Sequence, residues 1–174
     1  MRLRPVRADD WLFFHQADQD TDAAANGYFI PFPRNEEGAR KWAEEEAGRL
    51  HNGDEIRLVI ETVEGKPVGT LNLHGCNPRN GTFEYGIAIT RENWGHGFAG
   101  EAILLILGFM FRERRYQKAN ATVYAFNERS QRLHEKLGFT LEGRIRSNIF
   151  SGGKHHDELW YGMTAAEFFE HREG

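Results

Sequence analysis

The chain has 174 residues and a single cysteine, Cys76. A lone thiol excludes an internal disulfide framework and a cysteine-based zinc site, and it fits a reducing compartment. Cys76 has no evident base partner in its neighbourhood, so a covalent acyl-enzyme is not expected there. Stability must then come from an apolar core, and we expect residues 1–174 to form one domain around it.

A long hydrophobic run is also missing. The longest apolar stretch, Ala102 to Phe111, contains Gly108 and is about half as long as a membrane span requires. The first residues, Met1 to Pro5, have no apolar core of the kind found in signal peptides. We therefore expect a soluble, cytoplasmic protein with no membrane partner.

The chain has no excess of positive charge either, since its formal net charge is −4. Affinity for a phosphate backbone is built from clustered Lys and Arg, so no nucleic-acid partner is expected. The acidic run Glu44–Glu46 shares a helical segment with Arg40, Lys41 and Arg49. A solvated helix face explains this run better than a cationic partner does.

The sequence does contain a mixture of helical and strand periodicities. Asn35 and Asn127 are placed to cap helices, Gly138 is placed to end one, and Thr164–Glu167 is a capping box. The predicted helices are one from about Asp9 through His15, one from Asn35 to about Leu50, one from about Gly97 to Arg115, one from Asn127 to Leu137, and one after Thr164. The predicted strands are Arg2 to Val6, Ile56 to Thr62, Val68 to Leu73, Phe83 to Ile89, Ala119 to Phe126, Leu141 to Phe150 and Asp157 to Met163.

These elements predict an α/β (α+β) fold. Hairpin turns precede Phe83, so that part of the sheet is expected to be antiparallel. The whole is expected to be a mixed, mostly antiparallel sheet of about seven strands flanked by about four helices. The segment from Asp20 to Arg34 is predicted to be irregular, and its aromatic residues suggest either a binding wall or packing over the core.

The most informative stretch runs from Ile87 to Ala102, where a strand-type run ends in a glycine turn that leads directly into a helix. Almost no side chain is present at Gly95, Gly97, Ala99 and Gly100, so backbone N–H groups there can approach a ligand closely. The positive end of the following helix favours a phosphate. The stretch therefore predicts a phosphate-bearing cofactor.

The glycines admit three other interpretations. Gly95-x-Gly97-x-x-Gly100 matches the dinucleotide fingerprint, but hairpins precede it and no acid lies about 20 residues on, where Lys118 stands. A Walker loop is absent, because no Gly-x4-Gly-Lys-Ser/Thr string occurs. A purely structural turn remains as the third interpretation.

The stretch Trp94 to Ala102 resembles the acetyl-CoA pyrophosphate loop of the GNAT superfamily of N-acetyltransferases. The stretch Asn127 to Phe139 looks like the second signature of that family, with one strand between the two. The resemblance covers about residue 2 to 163, and the end of the chain is similar to the branch that acetylates ribosomal-protein N-termini and polyamines. Trp94 stands where many members carry Gln or Arg.

The resemblance implies a splayed sheet in which the strand Phe83 to Ile89 diverges from Ala119 to Phe126 and leaves room for the pantetheine arm. Backbone groups of the first strand would then bond the cofactor like an extra strand. Asn127 and Ser130 would help to hold it, although each also suits the start of a helix. The implied acetyl-CoA-binding residues are Ile87, Ala88, Ile89, Trp94, Gly95, His96, Gly97, Phe98, Ala99, Gly100, Asn127 and Ser130.

Transfer of an acetyl group from a thioester to an amine needs a neutral amine and a proton for the departing thiolate. Glu84 is the candidate general base, and a glutamate paired across the sheet is the alternative. His134 is the candidate general acid, because it stands where many family members carry Tyr and because imidazole can donate a proton at neutral pH. A surface or packing histidine is the alternative. No metal is expected, since adjacent strand residues such as His155 and His156 point to opposite faces.

The expected reaction is acetyl transfer by direct attack of a primary amine. The first choice of acceptor is the α-amine of a protein or peptide, and a polyamine or other small amine is the alternative. Tyr28, Phe29 and Phe32 are the candidate substrate wall. A CoA-binding module without turnover is the alternative of another class, a longer acyl donor such as succinyl-CoA stays open, and the resemblance implies a homodimer as one option for assembly.

Overall fold

The computed structural model describes residues 1–26, 32–50 and 53–173. The strands in that part of the chain form one seven-stranded sheet in the order β1-β2-β3-β4-β5-β7-β6. The strands are β1 (Arg2–Pro5), β2 (Ile56–Glu61), β3 (Pro67–Asn77), β4 (Thr82–Ile89), β5 (Lys118–Tyr124), β6 (Thr140–Ser151) and β7 (Lys154–Thr164). The helices are α1 (Trp11–Asp18), α2 (Thr21–Ala24), α3 (Glu36–Ala47), α4 (Phe98–Arg112), α5 (Glu128–Leu137) and α6 (Ala165–Glu173).

The sheet confirms the predicted fold class. β1 and β2 pair antiparallel, as do β5 with β7 and β6 with β7, whereas β4 and β5 are parallel. The register of β4 with β5 covers three residue pairs, from Thr82 opposite Lys118 to Glu84 opposite Asn120. No helix in the described ranges is long and apolar enough to cross a membrane.

The residues group into two compact units. Unit 1 consists of Met1–Asn72 and Ile87–Ala102, and unit 2 consists of Leu73–Gly86 and Ile103–Gly174. Strands β3 and β4 and helix α4 each have residues in both units. The prediction of a single domain over residues 1–174 stays a prediction.

Unit 1 has a small apolar core made by Val6, Phe14 and Val59, against which Trp42 packs. Helix α3 contributes Ala39 and Ala43, four residues apart and fully buried, as expected for one face of a helix. Next to this core lies a buried ion network. Arg4 donates to both carboxylate oxygens of Asp10 at 2.7 Å and to Glu61 at 2.7 Å, and Glu61 also accepts from Arg2.

Unit 2 has an aromatic core. Phe83 of β4 packs edge-on against Phe111 and Tyr116, and Phe111 packs against Phe168 of α6. Phe83 is completely buried, and side chains alternate along a strand, so Tyr85 points to the same face. This face of β4 receives the helices of unit 2.

Several predicted boundaries were wrong. Helix α3 ends at Ala47, with Gly48 as its C-cap, instead of reaching Leu50, because Gly48 already offers a stop. The segment predicted to be irregular contains α2, because the Asp20 carboxylate accepts from the N–H of Ala23 and caps a helical turn. With α2 added to the five helices predicted along the chain, the described residues form six α-helices, where about four were expected to flank the sheet. The long strand β3 runs on to Asn77 through Gly75, whose φ is +58°.

Candidate active site

The glycine turn of unit 1 lies between a short 3-10 helix, Arg91–Asn93, and α4. Gly95 and Gly97 have φ values of +83° and +84°, which favour glycine. A Cβ added at either position would meet no atom within 4 Å. The turn is therefore open, and it leads into a fifteen-residue helix whose first N–H groups have no partner within the helix. This arrangement fits a phosphate group.

Trp94 fastens this turn to the end of β4. Its indole Nε1 donates to the carbonyl oxygen of Ile89 at 2.7 Å, and the guanidinium of Arg91 lies 5.9 Å from the ring centroid. The side chain of Trp94 thus links the turn to β4. This contact accounts for a tryptophan where many members of the family that this stretch resembles carry Gln or Arg. His96 and Phe98 stack on each other at 6.1 Å within the same turn.

The end of β4 in unit 1 lies close to β3. The N–H of Thr90 donates to the carbonyl oxygen of Val68 at 3.0 Å. A side chain at Gly69 would collide with the carbonyl oxygen of Ala88. Ala88 itself is exposed, and its neighbours Ile87 and Ile89 are half-buried. The predicted divergence of β4 from β5 stays a prediction.

Glu84 of unit 2 lies beside His74 of β3. Its Oε2 is 4.0 Å from Nδ1 of His74, and its side chain is 30% exposed. A Cβ at Gly75 would come within 3.3 Å of Oε1, so glycine gives the carboxylate room on this side. The contact of His74 with Glu84 was not predicted from the sequence. Counting register across the β3–β4 turn is the signal that can find it.

His134 of α5 is buried, with 3% of its surface exposed. Its Nδ1 lies 2.7 Å from the carbonyl oxygen of Ser130 and 3.4 Å from Oγ of Ser130. Its Nε2 is buried and has no hydrogen-bond partner among the described residues. Burial lowers the pKa of His134, and the bond to the Ser130 carbonyl opposes this shift. The predicted role of general acid stays a prediction.

Asn127 and Ser130 both act at the start of α5. The side chain of Asn127 accepts from the N–H of Ser130 at 3.1 Å, which confirms the predicted cap. Gly138 ends the same helix with a φ of +94°, also as predicted. Asn127 and Ser130 thus have a structural role at the start of α5, and their predicted contact with the cofactor stays a prediction.

The predicted base and acid lie on opposite faces of β4. Tyr85 stacks on His134 with a ring-centroid distance of 6.0 Å. Glu84 is the neighbour of Tyr85 along the strand, and neighbouring side chains point to opposite faces. The two groups therefore cannot exchange one proton.

The predicted substrate wall is described only in part. Tyr28 and Phe29 lie outside the described residues, and the side chain of Phe32 is 99% exposed. Three acidic residues on the N-terminal side of this segment, Asp18, Asp20 and Asp22, are each paired with an arginine. The guanidinium of Arg34 donates hydrogen bonds to both carboxylate oxygens of Asp18, at 2.6 and 2.9 Å.

The second of these flanking pairs is centred on Arg91. It donates to both oxygens of Asp20 at 3.1 and 2.6 Å and to Asp22 at 3.0 Å. All of these residues belong to unit 1. Arg91 and its hydrogen bonds lower the pKa of Asp20.

Metal ligation has no support in the described ranges, where no group of three or more His, Cys, Asp or Glu side chains is arranged to hold a metal ion. His156 lies 3.1 Å from the carbonyl oxygen of Ser151 through Nε2, and its ring packs on Phe126. His155 packs instead against Phe150. The two histidines therefore have separate surroundings.

Comparison with known proteins gives a consistent result. Residues 1–140 match the family model described as "Acetyltransferase (GNAT) domain". The chain is 39% identical over 168 residues to the SPbeta prophage-derived uncharacterized N-acetyltransferase YokL of Bacillus subtilis, covering 97% of this chain and 92% of that protein. It is 27% identical to YdaF of the same organism, provisionally named a ribosomal N-acetyltransferase, covering 93% of this chain and 80% of YdaF.

A similar fold is found in the crystal structure of spermidine N-acetyltransferase from Vibrio cholerae in complex with CoA and spermine. The TM-score is 0.82, with 22% sequence identity, and 97% of each chain is covered. At this identity the likeness concerns the fold. It agrees with the open, mostly antiparallel sheet described above.

Proposed function

We propose, from the premise that this chain belongs to the GNAT acetyltransferase family, that it acetylates the α-amine of a peptide or protein. The chain is an N-acetyltransferase, and acetyl-CoA is its acetyl donor. The choice of acceptor is the open question. The acceptor is proposed here from the charges that flank the predicted substrate wall and from the chemistry of amines.

The observation that carries this choice is the pairing of Asp18, Asp20 and Asp22 with Arg34 and Arg91. A polyamine carries two or more ammonium groups besides the one that reacts, and it binds best where carboxylates have no cation of their own. A peptide N-terminus brings one amine and needs no such surplus of negative charge. Paired carboxylates therefore favour the peptide.

The cost of deprotonation points the same way. An α-amino group with a pKa near 7.7 loses its proton at pH 7 for about 1 kcal/mol, whereas an amine with a pKa of about 10.4 costs about 4.6 kcal/mol. Glu84 is 30% exposed and lies beside His74. A carboxylate in this setting is an adequate base for the α-amine, directly or through a water molecule.

The proposed roles of the site residues divide between the two units. In unit 1, the turn with Gly95 and Gly97 and the start of α4 bind the pyrophosphate, while the backbone of Ile87–Ile89 bonds the pantetheine arm. The cofactor supplies the acetyl thioester. In unit 2, Glu84 takes the proton from the acceptor amine. Tyr28, Phe29 and Phe32 form part of the wall that contacts the acceptor.

A polyamine is the second candidate. The Vibrio cholerae protein with the similar fold is a spermidine acetyltransferase, and its crystal structure contains spermine. The provisional ribosomal name of YdaF supports the first candidate. The two candidates differ in the charge that the acceptor requires, so an experiment on charge can separate them.

The experiment measures thiol release with three acceptors: a peptide with a free N-terminus, the same peptide with a blocked N-terminus and a lysine, and spermidine. The parent should prefer the free N-terminus. Arg91→Gln should raise kcat/KM for spermidine about two- to fivefold, because Asp20 and Asp22 lose their cation. Arg132→Gln is the matched control, since it removes an exposed pair with Glu128 in unit 2. A parent enzyme that prefers spermidine would overturn the proposal.

A further inference from the structure

Four rings of unit 2 form an aromatic box. Tyr85 of β4 lies 6.0 Å from His134 of α5 and 6.2 Å from Phe139. His134 lies 5.1 Å from Phe139 and 5.6 Å from Tyr161 of β7. All four rings are 5% exposed or less, and Tyr161 is only 1% exposed. The box therefore excludes solvent from any polar atom inside it.

Two polar atoms in the box have no hydrogen-bond partner among the described residues. They are the phenolic oxygen of Tyr85 and Nε2 of His134. The third polar group, the hydroxyl of Tyr161, is already bonded to Glu135 at 3.1 Å. Buried polar atoms in proteins almost always have a hydrogen-bond partner, so two buried atoms without one in the same box call for a common explanation.

The bond on the other side of the imidazole fixes its tautomer. Nδ1 of His134 lies 2.7 Å from the carbonyl oxygen of Ser130, and a carbonyl oxygen can only accept. Nδ1 therefore carries the proton. In the neutral imidazole Nε2 is then a bare acceptor, and burial, which lowers the pKa of His134, favours the neutral form.

Tyr85 has the opposite character. Burial raises the pKa of its phenol, so the hydroxyl keeps its proton at neutral pH. It is therefore a hydrogen-bond donor that lacks an acceptor among the described residues. His134 offers an acceptor without a donor. The two groups are complementary, and their rings are nearly parallel, with an angle of 21° between their planes.

We propose that Tyr85 and His134 are a positioning pair, in which the phenol O–H donates to one buried water that in turn donates to Nε2, and His134 serves as an acceptor instead of a proton donor. The pair links Ser130 in the first turn of α5 to Tyr85 on β4. Tyr85 is the neighbour of Glu84 in unit 2, so the link sets the position of the strand that carries the proposed base. This inference rests on acetyl transfer by the family and does not depend on which amine is the acceptor.

The first test is spectroscopic. Long-range proton–nitrogen correlation spectra of histidine-labelled protein at pH 7.5 should give Nδ1 of His134 as protonated and Nε2 as unprotonated. Tyr85→Phe should move the Nε2 signal toward the value of a free acceptor. Tyr161→Phe is the matched control, since it keeps a stacked ring and removes a hydroxyl that bonds to Glu135. A protonated Nε2, or an Nε2 signal that Tyr85→Phe leaves in place, would overturn the proposal.

The second test is kinetic. His134→Gln places an acceptor oxygen on the side chain but cannot hold a proton in the neutral range, whereas His134→Leu removes the acceptor. We expect His134→Gln to keep turnover within about threefold of the parent with an unchanged pH profile, and His134→Leu to lose tenfold or more. A proton donor is deprotonated as the pH rises, so its titration gives the basic limb of the profile. Loss of that limb in His134→Gln, with the variant shown to be folded by its thermal transition, would return the proton-donor role to His134.

Discussion

Gly97→Ala tests whether the open turn of unit 1 binds phosphate. Gly97 has a φ of +84°, and an added Cβ would meet nothing within 4 Å. Gly65, in the β2–β3 turn of the same unit, has a φ of +89° and the same free space. A side chain at either position meets no neighbour and adds only backbone strain, which costs about 1–2 kcal/mol. The two substitutions are therefore matched in stability.

They differ in what they do to the cofactor. If the backbone of the turn cradles the pyrophosphate, a methyl group at Gly97 intrudes on the ligand. A hydrogen bond to a charged group is worth about 1.5–3 kcal/mol, so losing one weakens CoA binding about tenfold or more. Pantetheine has no phosphate, and its affinity should not change. Gly65→Ala should leave both affinities as they are.

The assays are urea unfolding for stability and titration calorimetry for CoA and pantetheine. Equal losses of stability with a selective loss of CoA affinity in Gly97→Ala would support a phosphate cradle. Parent-like CoA binding by Gly97→Ala would refute it and leave the glycines with a purely structural role. Loss of CoA affinity in Gly65→Ala as well would refute the local interpretation.

Two further predictions concern stability. Glu61→Gln should destabilise the chain by about 3 kcal/mol in urea unfolding, because Glu61 is 1% exposed and its loss leaves Arg4 and Arg2 without that partner. The control, Glu45→Gln, removes an exposed carboxylate and should cost about 0.5 kcal/mol or less. Equal effects of the two substitutions would contradict the buried network. Burial lowers the pKa of His134, so the folded chain holds fewer protons there than the unfolded chain, whose histidine titrates near 6.5; the contribution of this site is complete above that pH and is lost as the pH falls toward the lowered value. Unfolding measured between pH 7.5 and pH 5 should therefore show a steeper loss for the parent than for His134→Gln, and parallel curves would contradict the shift.

Local signals in the sequence predicted the ends of elements where a single side chain decides them. The carboxamides of Asn35 and Asn127 cap α3 and α5 as expected, and Glu167 accepts from Thr164 in the predicted capping box. Where two stops compete, the sequence alone misleads. Gly48 ends α3 before the predicted end at about Leu50, beyond which the sequence Asn52-Gly53 offers a second stop.

Long-range packing accounts for what the sequence could not predict. His134 lies on a helix of mostly polar residues. Its burial depends on Tyr85 and Tyr161, which lie on two different strands, 49 and 27 residues away along the chain. The pairing of Asp20 with Arg91 joins residues 71 positions apart. Hydrophobic periodicity reports the face of an element and contains no information about which residue of another element lies opposite.

The site of acetylation on a single peptide tests the central claim most directly. The peptide carries a free α-amine and one internal lysine, and tandem mass spectrometry locates the acetyl group after incubation with the enzyme and acetyl-CoA. The account predicts the acetyl group on the N-terminal nitrogen and an unmodified lysine. Acetyl on the lysine Nζ, or no transfer to this peptide while spermidine is acetylated, would contradict it.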